Sequence, residues 1–417
     1  MLRVRAWAQT DVGRHRSHNE DNYLIDLKLG LFGVADGMGG HEGGEVASET
    51  SLKVLRRAVQ ERYEEMVRLT KENPEKHRQR ILGLIDECIQ ASTKAVFDIS
   101  KKKAKSRGMG TTLSVLMILG NKGIIAHVGD SRIFLLRQNQ IFQLTEDHSL
   151  VKEQLKLGLI TEEEAERSPY KNVITRAVGA AENVKVDTLF VDLFEGDRFL
   201  LCSDGLHGYF QEGEIGPYMA EPQPEKIPAS LINLSNERGG KDNITAVVLQ
   251  VEDVTPKSQQ ERNKMRRTEV TLRMDVLQTI PVFQHLSYQE LVKVMNITFL
   301  KTYKQGEVIF EEDQMGSMLY ILLKGNVGIY RKGKHISTLV DGEHFGEMSL
   351  VDKNAKRSAT ALIETPNTQL LTITRKNFIN LMREEQAIAV KVLWGFLKAM
   401  SKRLRQTTEK LLPIELE

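Results

Sequence analysis

The 417 residues carry 58 basic and 56 acidic side chains, a net charge of +2, and 41% of them are hydrophobic. That length predicts two or three domains, and the balanced charge excludes a nucleic-acid binder held by bulk electrostatics. The longest apolar runs, such as 113–119 interrupted by Ser114, are too short to cross a bilayer, and the start Met1-Leu2-Arg3-Val4-Arg5-Ala6-Trp7 lacks a signal-peptide core. Neither membrane insertion nor secretion is expected. Cys88 and Cys202 both fall in apolar patterns and suit the core of a protein in a reducing cytoplasm.

Strand patterns run over 4–9, 22–26 and 31–35. Two helices follow, one with Leu52, Leu55, Val59, Tyr63 and Met66 on a face, the other with Ile81, Ile85, Cys88, Ser92, Val96 and Ile99. Further strands are expected at 112–119, 123–128 and 133–137, and the turn Gly120-Asn121-Lys122-Gly123 implies hairpins and antiparallel sheets. Residues 149–182 are polar and helix-prone, a surface flap. Residues 1–253 thus form one body of mixed helices and strands. Residues 254–275 read as a linker, helical in its second half, because they have no apolar period but carry Pro256, Ser258 and Arg266-Arg267. Beyond it, 277–295 looks helical, and short strands over 298–373 are punctuated by Gly306, Gly316, Gly325, Gly328, Gly333, Gly342 and Gly346, the pattern of a small β-roll. The tail from 378 to 412 is again helical, so the second body spans 276–412. In the tail Val390, Leu393, Leu397, Met400 and Leu404 alternate by three and four, with Leu411 a heptad on. Packing against the roll is the first expectation for this stripe and homodimerisation the second.

Four acidic clusters stand beside strand ends or turns: Asn19-Glu20-Asp21, Asp36-Gly37, Asp204-Gly205 and Asp242-Asn243. Carboxylates brought together from separate strands repel one another unless a cation lies between them, and oxygen ligands without His or Cys suit Mg²⁺ or Mn²⁺. Each pair alone is equally a turn signal. Their surroundings decide the matter. Thr10-Asp11-Val12-Gly13-Arg14-His15-Arg16-Ser17-His18-Asn19-Glu20-Asp21-Asn22 resembles the opening motif of the PPM family, the metal-dependent type 2C serine/threonine protein phosphatases. Ala35-Asp36-Gly37-Met38-Gly39-Gly40-His41, Gly110-Thr111-Thr112, Val128-Gly129-Asp130-Ser131-Arg132, Thr175-Arg176-Ala177-Val178-Gly179, Cys202-Ser203-Asp204-Gly205-Leu206 and Lys241-Asp242-Asn243-Ile244-Thr245 follow in the family's order.

The resemblance implies an α+β fold whose N-terminal part is an α-β-β-α sandwich of two antiparallel sheets with two metal ions at one end. It implies that Asp36 bridges both metals, that Asp204 and Asp242 are terminal ligands of one, and that the Gly37 carbonyl contacts the other. Glu20 would act through metal-held water with Asp21 supporting it, Arg16 would hold the substrate phosphate, and Asp130 with Asp204 would take a third metal, as in bacterial members. Two cations ~3.5–4 Å apart neutralise a phosphate monoester and activate a water for in-line attack, while arginine's planar fork suits the remaining phosphate oxygens. Phosphoserine and phosphothreonine proteins are the implied substrates. Met38 stands where many eukaryotic members carry a histidine that protonates the leaving group; His41, three residues on, is the alternative donor to water. Arg176 stands at the downstream end of the flap, which is expected to govern substrate access in bacterial members; it reads equally as an internal salt-bridge partner and is left outside the site.

Farther on, Phe345-Gly346-Glu347-Met348-Ser349-Leu350 and Lys356-Arg357-Ser358-Ala359-Thr360-Ala361 resemble the phosphate-binding cassette of cyclic nucleotide-binding domains, with the step from Glu347 to Arg357 most like that of the catabolite activator protein. The resemblance implies Arg357 and Ser358 on the cyclic phosphate, Glu347 on the ribose 2′-hydroxyl and Gly346 close to the sugar, with Trp394 or Phe396 closing over the ligand. cAMP is favoured over cGMP on the Arg-Ser pair alone. The expected function is therefore a phosphatase regulated by a cyclic nucleotide. A catalytically dead nucleotide sensor, and an active phosphatase with a non-binding barrel kept by an internal Glu347–Arg357 salt bridge, are its rivals.

Overall fold

In the first unit, Met1–Asn263, the chain runs β1 (Leu2–Asp11), β2 (Asp21–Asp26), β3 (Leu31–Met38), α1 (Glu42–Glu72), α2 (Arg78–Lys102), β4 (Gly110–Thr111), β5 (Leu113–Leu119), β6 (Lys122–Val128), β7 (Arg132–Arg137) and β8 (Gln140–Gln143). The flap follows as α3 (Leu150–Lys156) and α4 (Glu162–Arg167), then β9 (Asp187–Asp192), β10 (Arg198–Cys202), α5 (Asp204–His207), α6 (Ile215–Met219), α7 (Ile227–Glu237) and β11 (Ile244–Asp253). The computed structural model describes residues 2–39, 42–102, 108–211, 213–253, 257–352 and 354–411.

Two antiparallel sheets result, ordered β1-β11-β10-β7-β8 and β2-β3-β5-β6-β9, with β4 added to β3. The reason they stack is written in β11, where Ile244 to Val251 is buried at every position but Gln250. Successive strand side chains face opposite ways, so a strand buried at consecutive positions needs a cover on both faces. Ile244, Ala246 and Val248 pack with Leu231 and Ile232 of α7, leaving Val247, Leu249 and Val251 for the opposite face. In the same way Leu31 and Ala35 of β3 join Leu55, Val59, Ile85 and Cys88 of the α1–α2 pair. Phe32 and Val34, also fully buried, point the other way. This is the α-β-β-α sandwich. Cys88 and Cys202 are free and buried in its core, and among the described residues no helix is long and apolar enough to cross a membrane.

The second unit, Lys264–Glu417, contains most of α8 (Lys257–Thr279), then α9 (Tyr288–Met295), β12 (Thr298–Tyr303), β13 (Val308–Phe310), β14 (Met318–Lys324), β15 (Val327–Arg331), β16 (Lys334–Leu339), β17 (His344–Phe345), α10 (Met348–Val351), β18 (Thr360–Ile363), β19 (Thr368–Thr374), α11 (Arg375–Glu384) and α12 (Gln386–Leu411). Sheets β12-β19-β14-β17 and β13-β18-β15-β16 enclose a core of Tyr320, Leu322, Val327, Phe345, Ala361, Ile363 and Leu370. Three sequence expectations change here. The region read as a linker is helical as expected in its second half, and the helix also takes in the first half from Lys257 onward; Val270, Met274 and Leu277, at four- and three-residue steps, are its buried anchors. The single helix expected over 277–295 is two, because Pro281 disfavours helical backbone before it and Ser287 starts afresh with a capping box on Glu290. The C-terminal helix likewise breaks at Glu385.

Candidate active site

Strand ends deliver the acidic residues. Asp21 opens β2 directly opposite Asp36 near the end of β3. Asp204 is the first residue of α5, immediately beyond β10, and Asp242 lies two residues before β11. The Asn243 side chain ties these segments: its Oδ1 accepts the Glu20 N–H at 2.9 Å, and its Nδ2 donates to the carbonyls of Val12 at 3.0 Å and His18 at 2.9 Å. Gly37 is required because a Cβ there would strike the carbonyl oxygens of Gly44 and Glu20. Arg16 enters from the loop after β1 and donates from Nη2 to Asp242 Oδ2 at 2.7 Å.

The crowding is visible in proton affinities. Burial, with repulsion from Asp21, Asp204, Asp130 and Asp242, pushes the Asp36 carboxyl well above its usual range. Burial and Asp204 push Asp130 up to about 8. Asp204 is raised by burial and by Asp242, although it shares a hydrogen bond with the Asp36 carboxyl that opposes the rise. Asp21 rises to about 7 through burial, despite the hydroxyls of Ser203 and Thr245 that each donate to its Oδ2 at 2.7 Å. Burial opposes the charge of Arg16, but the bond to Asp242 and attraction from Glu20 and Asp36 hold its proton more tightly than usual.

The donor set is all hard oxygen, and Asp21 Oδ1 is buried with no hydrogen-bond partner among the described residues. Among those residues no three His, Cys, Asp or Glu side chains close on one point as a finished metal cage. The donor set is the kind that fits Mg²⁺ or Mn²⁺, hard cations that take oxygen ligands.

The structure thus brings Arg16, Glu20, Asp21, Asp36, Gly37, Asp130, Asp204 and Asp242 to one end of the sandwich. His41 lies outside the described residues. Arg176 is elsewhere, donating to Asp187 Oδ1 at 2.7 Å and facing His148 Nε2 at 3.1 Å. Sequence reading missed the supporting roles of Ser203, Thr245 and Asn243, although all three lie inside quoted motifs; only the strand register reveals whom they touch.

In the second unit Arg357 is 6% exposed. Its Nη1 donates to the Gly346 carbonyl at 3.2 Å and its Nη2 to the Met318 carbonyl at 3.0 Å, and the Glu347 carboxylate attracts it. The guanidinium lies 4.1 Å from the centre of the Phe310 ring and 5.6 Å from that of Tyr320, and its buried Nε has no partner among the described residues. Gly346, at φ +79°, admits it, since a Cβ there would collide with Nη1. Glu347 stands just before α10 and makes no side-chain capping bond to it, and Ser358 is exposed. Phe396 is buried edge-to-face against Phe378 and Trp394 is exposed.

Carboxylates and an arginine gathered by the strand ends of a two-sheet sandwich define a metal-dependent hydrolase of phosphate esters. The protein phosphatase 2C family model matches residues 13–239, and the cyclic nucleotide-binding domain model matches residues 300–385. The serine/threonine phosphatase stp of Listeria innocua is 38% identical over 246 residues, 58% of this chain and 94% of the relative. Protein phosphatase PhpP of Streptococcus pneumoniae is 36% identical over 249 residues, 58% of this chain and 96% of the relative. The crystal structure of the Mycobacterium tuberculosis serine/threonine phosphatase PstP/Ppp superposes with a TM-score of 0.53 at 32% identity, covering 61% of this chain and 100% of that one. The PstP catalytic domain in complex with 2 manganese ions gives 0.52 at 33%, with 61% and 100% covered. The chain belongs to the protein phosphatase 2C family. It is a serine/threonine protein phosphatase that carries a cyclic nucleotide-binding domain in its C-terminal part.

Proposed function

We propose that the domain formed by residues 1–253 removes phosphate from phosphoserine and phosphothreonine on proteins, and that cyclic nucleotide bound by residues 276–412 regulates it. The observation that carries the catalytic half is the mutual repulsion of the Asp36, Asp204, Asp242 and Asp130 carboxyls, with Arg16 bonded to Asp242 beside them. Asp36, Asp204, Asp242 and the Gly37 carbonyl would hold two Mg²⁺ or Mn²⁺ ions, and Asp130 with Asp204 a third. When bound, the ions supply charge neutralisation and an activated water. Arg16 binds and orients the phosphate through its planar fork; its bond to Asp242 keeps the guanidinium within reach of the carboxylates. Glu20 orients water beside the ions, and Asp21, fixed by Ser203 and Thr245, supports Glu20. Nothing in this set reads the sequence around the phosphoresidue, so breadth toward phosphoprotein substrates is expected.

The regulatory half rests on Arg357. A buried guanidinium whose direct hydrogen bonds go only to carbonyls is costly; Glu347 attracts it, and a cyclic phosphodiester offers a negative charge that can bond it directly. cAMP is favoured over cGMP. Manganese-dependent hydrolysis of p-nitrophenyl phosphate, with and without each nucleotide, tests both halves. A rate that changes severalfold with nucleotide is expected. No metal-dependent rate would leave a nucleotide sensor alone, and an unchanged rate at saturating nucleotide would leave an unregulated phosphatase.

The C-terminal helix supports a homodimer. Ile388, Val392 and Phe396 on one face of α12 are buried, whereas Val390, Leu393, Trp394, Leu397 and Met400 are 49–69% exposed. The exposed stripe steps by three and four, as a helix pairing with its own copy requires. Light scattering on the full chain is expected to give a dimer that Leu393→Asp with Leu397→Asp converts to monomer; a monomeric wild type would end this reading.

A further inference from the structure

One rung of the β3 ladder is made by a side chain, and that rung lies at Asp36. Val34 pairs with Ser114 and Gly37 with Thr111, so a constant register sets Asp36 opposite Thr112. Opposed residues of a hydrogen-bonded antiparallel pair exchange two N–H···O=C bonds. The Thr112 N–H does donate to the Asp36 carbonyl, at 2.8 Å. The return bond differs: the Asp36 N–H donates to Thr112 Oγ1 at 2.9 Å, and the Thr112 carbonyl accepts from the Thr111 hydroxyl at 2.9 Å instead. That hydroxyl is also 2.9 Å from the Asp36 carbonyl. The exchange is why β4 and β5 are separate strands.

Thr112 is itself braced. Its hydroxyl lies 2.7 Å from Ser131 Oγ, one residue beyond Asp130, and a Cβ on Gly129 would come within 2.6 Å of the Thr112 side chain. Thr111, Thr112 and Ser131 are at most 1% exposed, so no water is at hand to accept the Asp36 N–H in their place. None of these hydroxyls bonds a carboxylate of the cluster; they act on Asp36 through its backbone, which sets the direction of its Cα–Cβ bond.

We propose that Thr112, braced by Ser131, is a positioning residue that aims the Asp36 carboxylate for divalent-metal binding and links it to the loop carrying Asp130. The inference rests on Asp36 being a metal ligand. With valine at position 112 the Asp36 N–H must turn toward the Thr112 backbone carbonyl to find an acceptor, and the carboxylate turns with it.

Calorimetric titration of the full chain with MnCl₂, alongside kcat and KM for p-nitrophenyl phosphate, tests this. Thr112→Val is expected to weaken Mn²⁺ binding about tenfold, the low end for groups that orient a metal ligand, and Thr112→Ser to stay within about twofold of wild type. Ser131→Ala, which leaves the acceptor of Asp36 in place, is expected to weaken it about threefold, the worth of one neutral hydrogen bond. Wild-type affinity in Thr112→Val, or Thr112→Ser as weak as the valine variant, overturns the proposal. Should Thr112→Val not fold, unchanged affinity in Ser131→Ala does the same. A wild type that takes up no Mn²⁺ overturns the metal reading of Asp36, and this inference with it.

Discussion

Asp36→Asn is expected to abolish most phosphatase activity while making the metal-free protein more stable. The substitution separates two accounts of the same residue. In a turn, Asn replaces Asp with little loss because both bond their own backbone and tolerate the same conformations. At a metal centre the charge is the function. Losing it is expected to lower kcat on the order of 10²–10³-fold, the scale for removing one charge-stabilising group. The stability gain follows from crowding: desolvation and four neighbouring carboxyls already oppose ionisation of Asp36, and the amide has nothing to ionise. A Tm rise of about 2–4 °C corresponds to 1 kcal/mol in a domain of this size.

The sign of the pH dependence follows from the same groups. Asp21 and Asp130 hold their protons up to about 7 and about 8 in the fold, against about 3.9 unfolded. A raised folded pKa gives stability that is full below the unfolded value and lost as pH rises through the folded one. The metal-free protein should therefore lose Tm between pH 5 and pH 8. Mn²⁺ binds the ionised carboxylates, so its stabilisation grows with pH; at a hundred times its Kd it adds about 2.7 kcal/mol. In Asp36→Asn the metal-induced rise in Tm should shrink with the activity. Wild-type kcat, or an undiminished Mn²⁺ shift, would return Asp36 to the turn.

The positions of the carboxylates were legible because each motif combines a residue type with a strand end, and both are local. Who touches whom was not. That Ser203 and Thr245 grip Asp21, 182 and 224 residues away, or that the Thr112 hydroxyl replaces a backbone rung, depends on register between distant strands. The misread segments failed for a different reason. Leu277 to Met295 keeps a helical apolar rhythm through Pro281, so the period outweighed the one residue that breaks it. Of the helix over Lys257–Thr279 only the second half was legible, because its buried anchors Val270, Met274 and Leu277 all lie there and the first half is almost wholly polar. β9 was absent from the expectations because it lies just beyond the polar flap.

Arg357→Ala is expected to remove cyclic nucleotide binding. Truncating one partner of a buried, hydrogen-bonded charge pair costs about 2–5 kcal/mol, at least about thirtyfold in Kd at about 1.4 kcal/mol per factor of ten. Calorimetry with cAMP and cGMP reads the loss directly. Ser358→Ala, which removes one hydrogen bond to the anionic phosphate, should cost about tenfold or somewhat more. The surroundings of Arg357 sharpen the expectation. Burial lowers its proton affinity, and it is held by two carbonyls and the Phe310 face, contacts that a phosphate must outcompete. Those direct contacts are exchangeable because neither the carbonyls nor the ring carries a full opposite charge, while the Glu347 carboxylate attracts the guanidinium as well. A ligand can shift a protein only by its differential affinity for two states, and the exchange of partners at Arg357 is where this domain would supply it. If Arg357→Ala binds nucleotide as tightly as wild type, the buried guanidinium is a packing element of the roll. Any nucleotide effect on the phosphatase must then enter elsewhere.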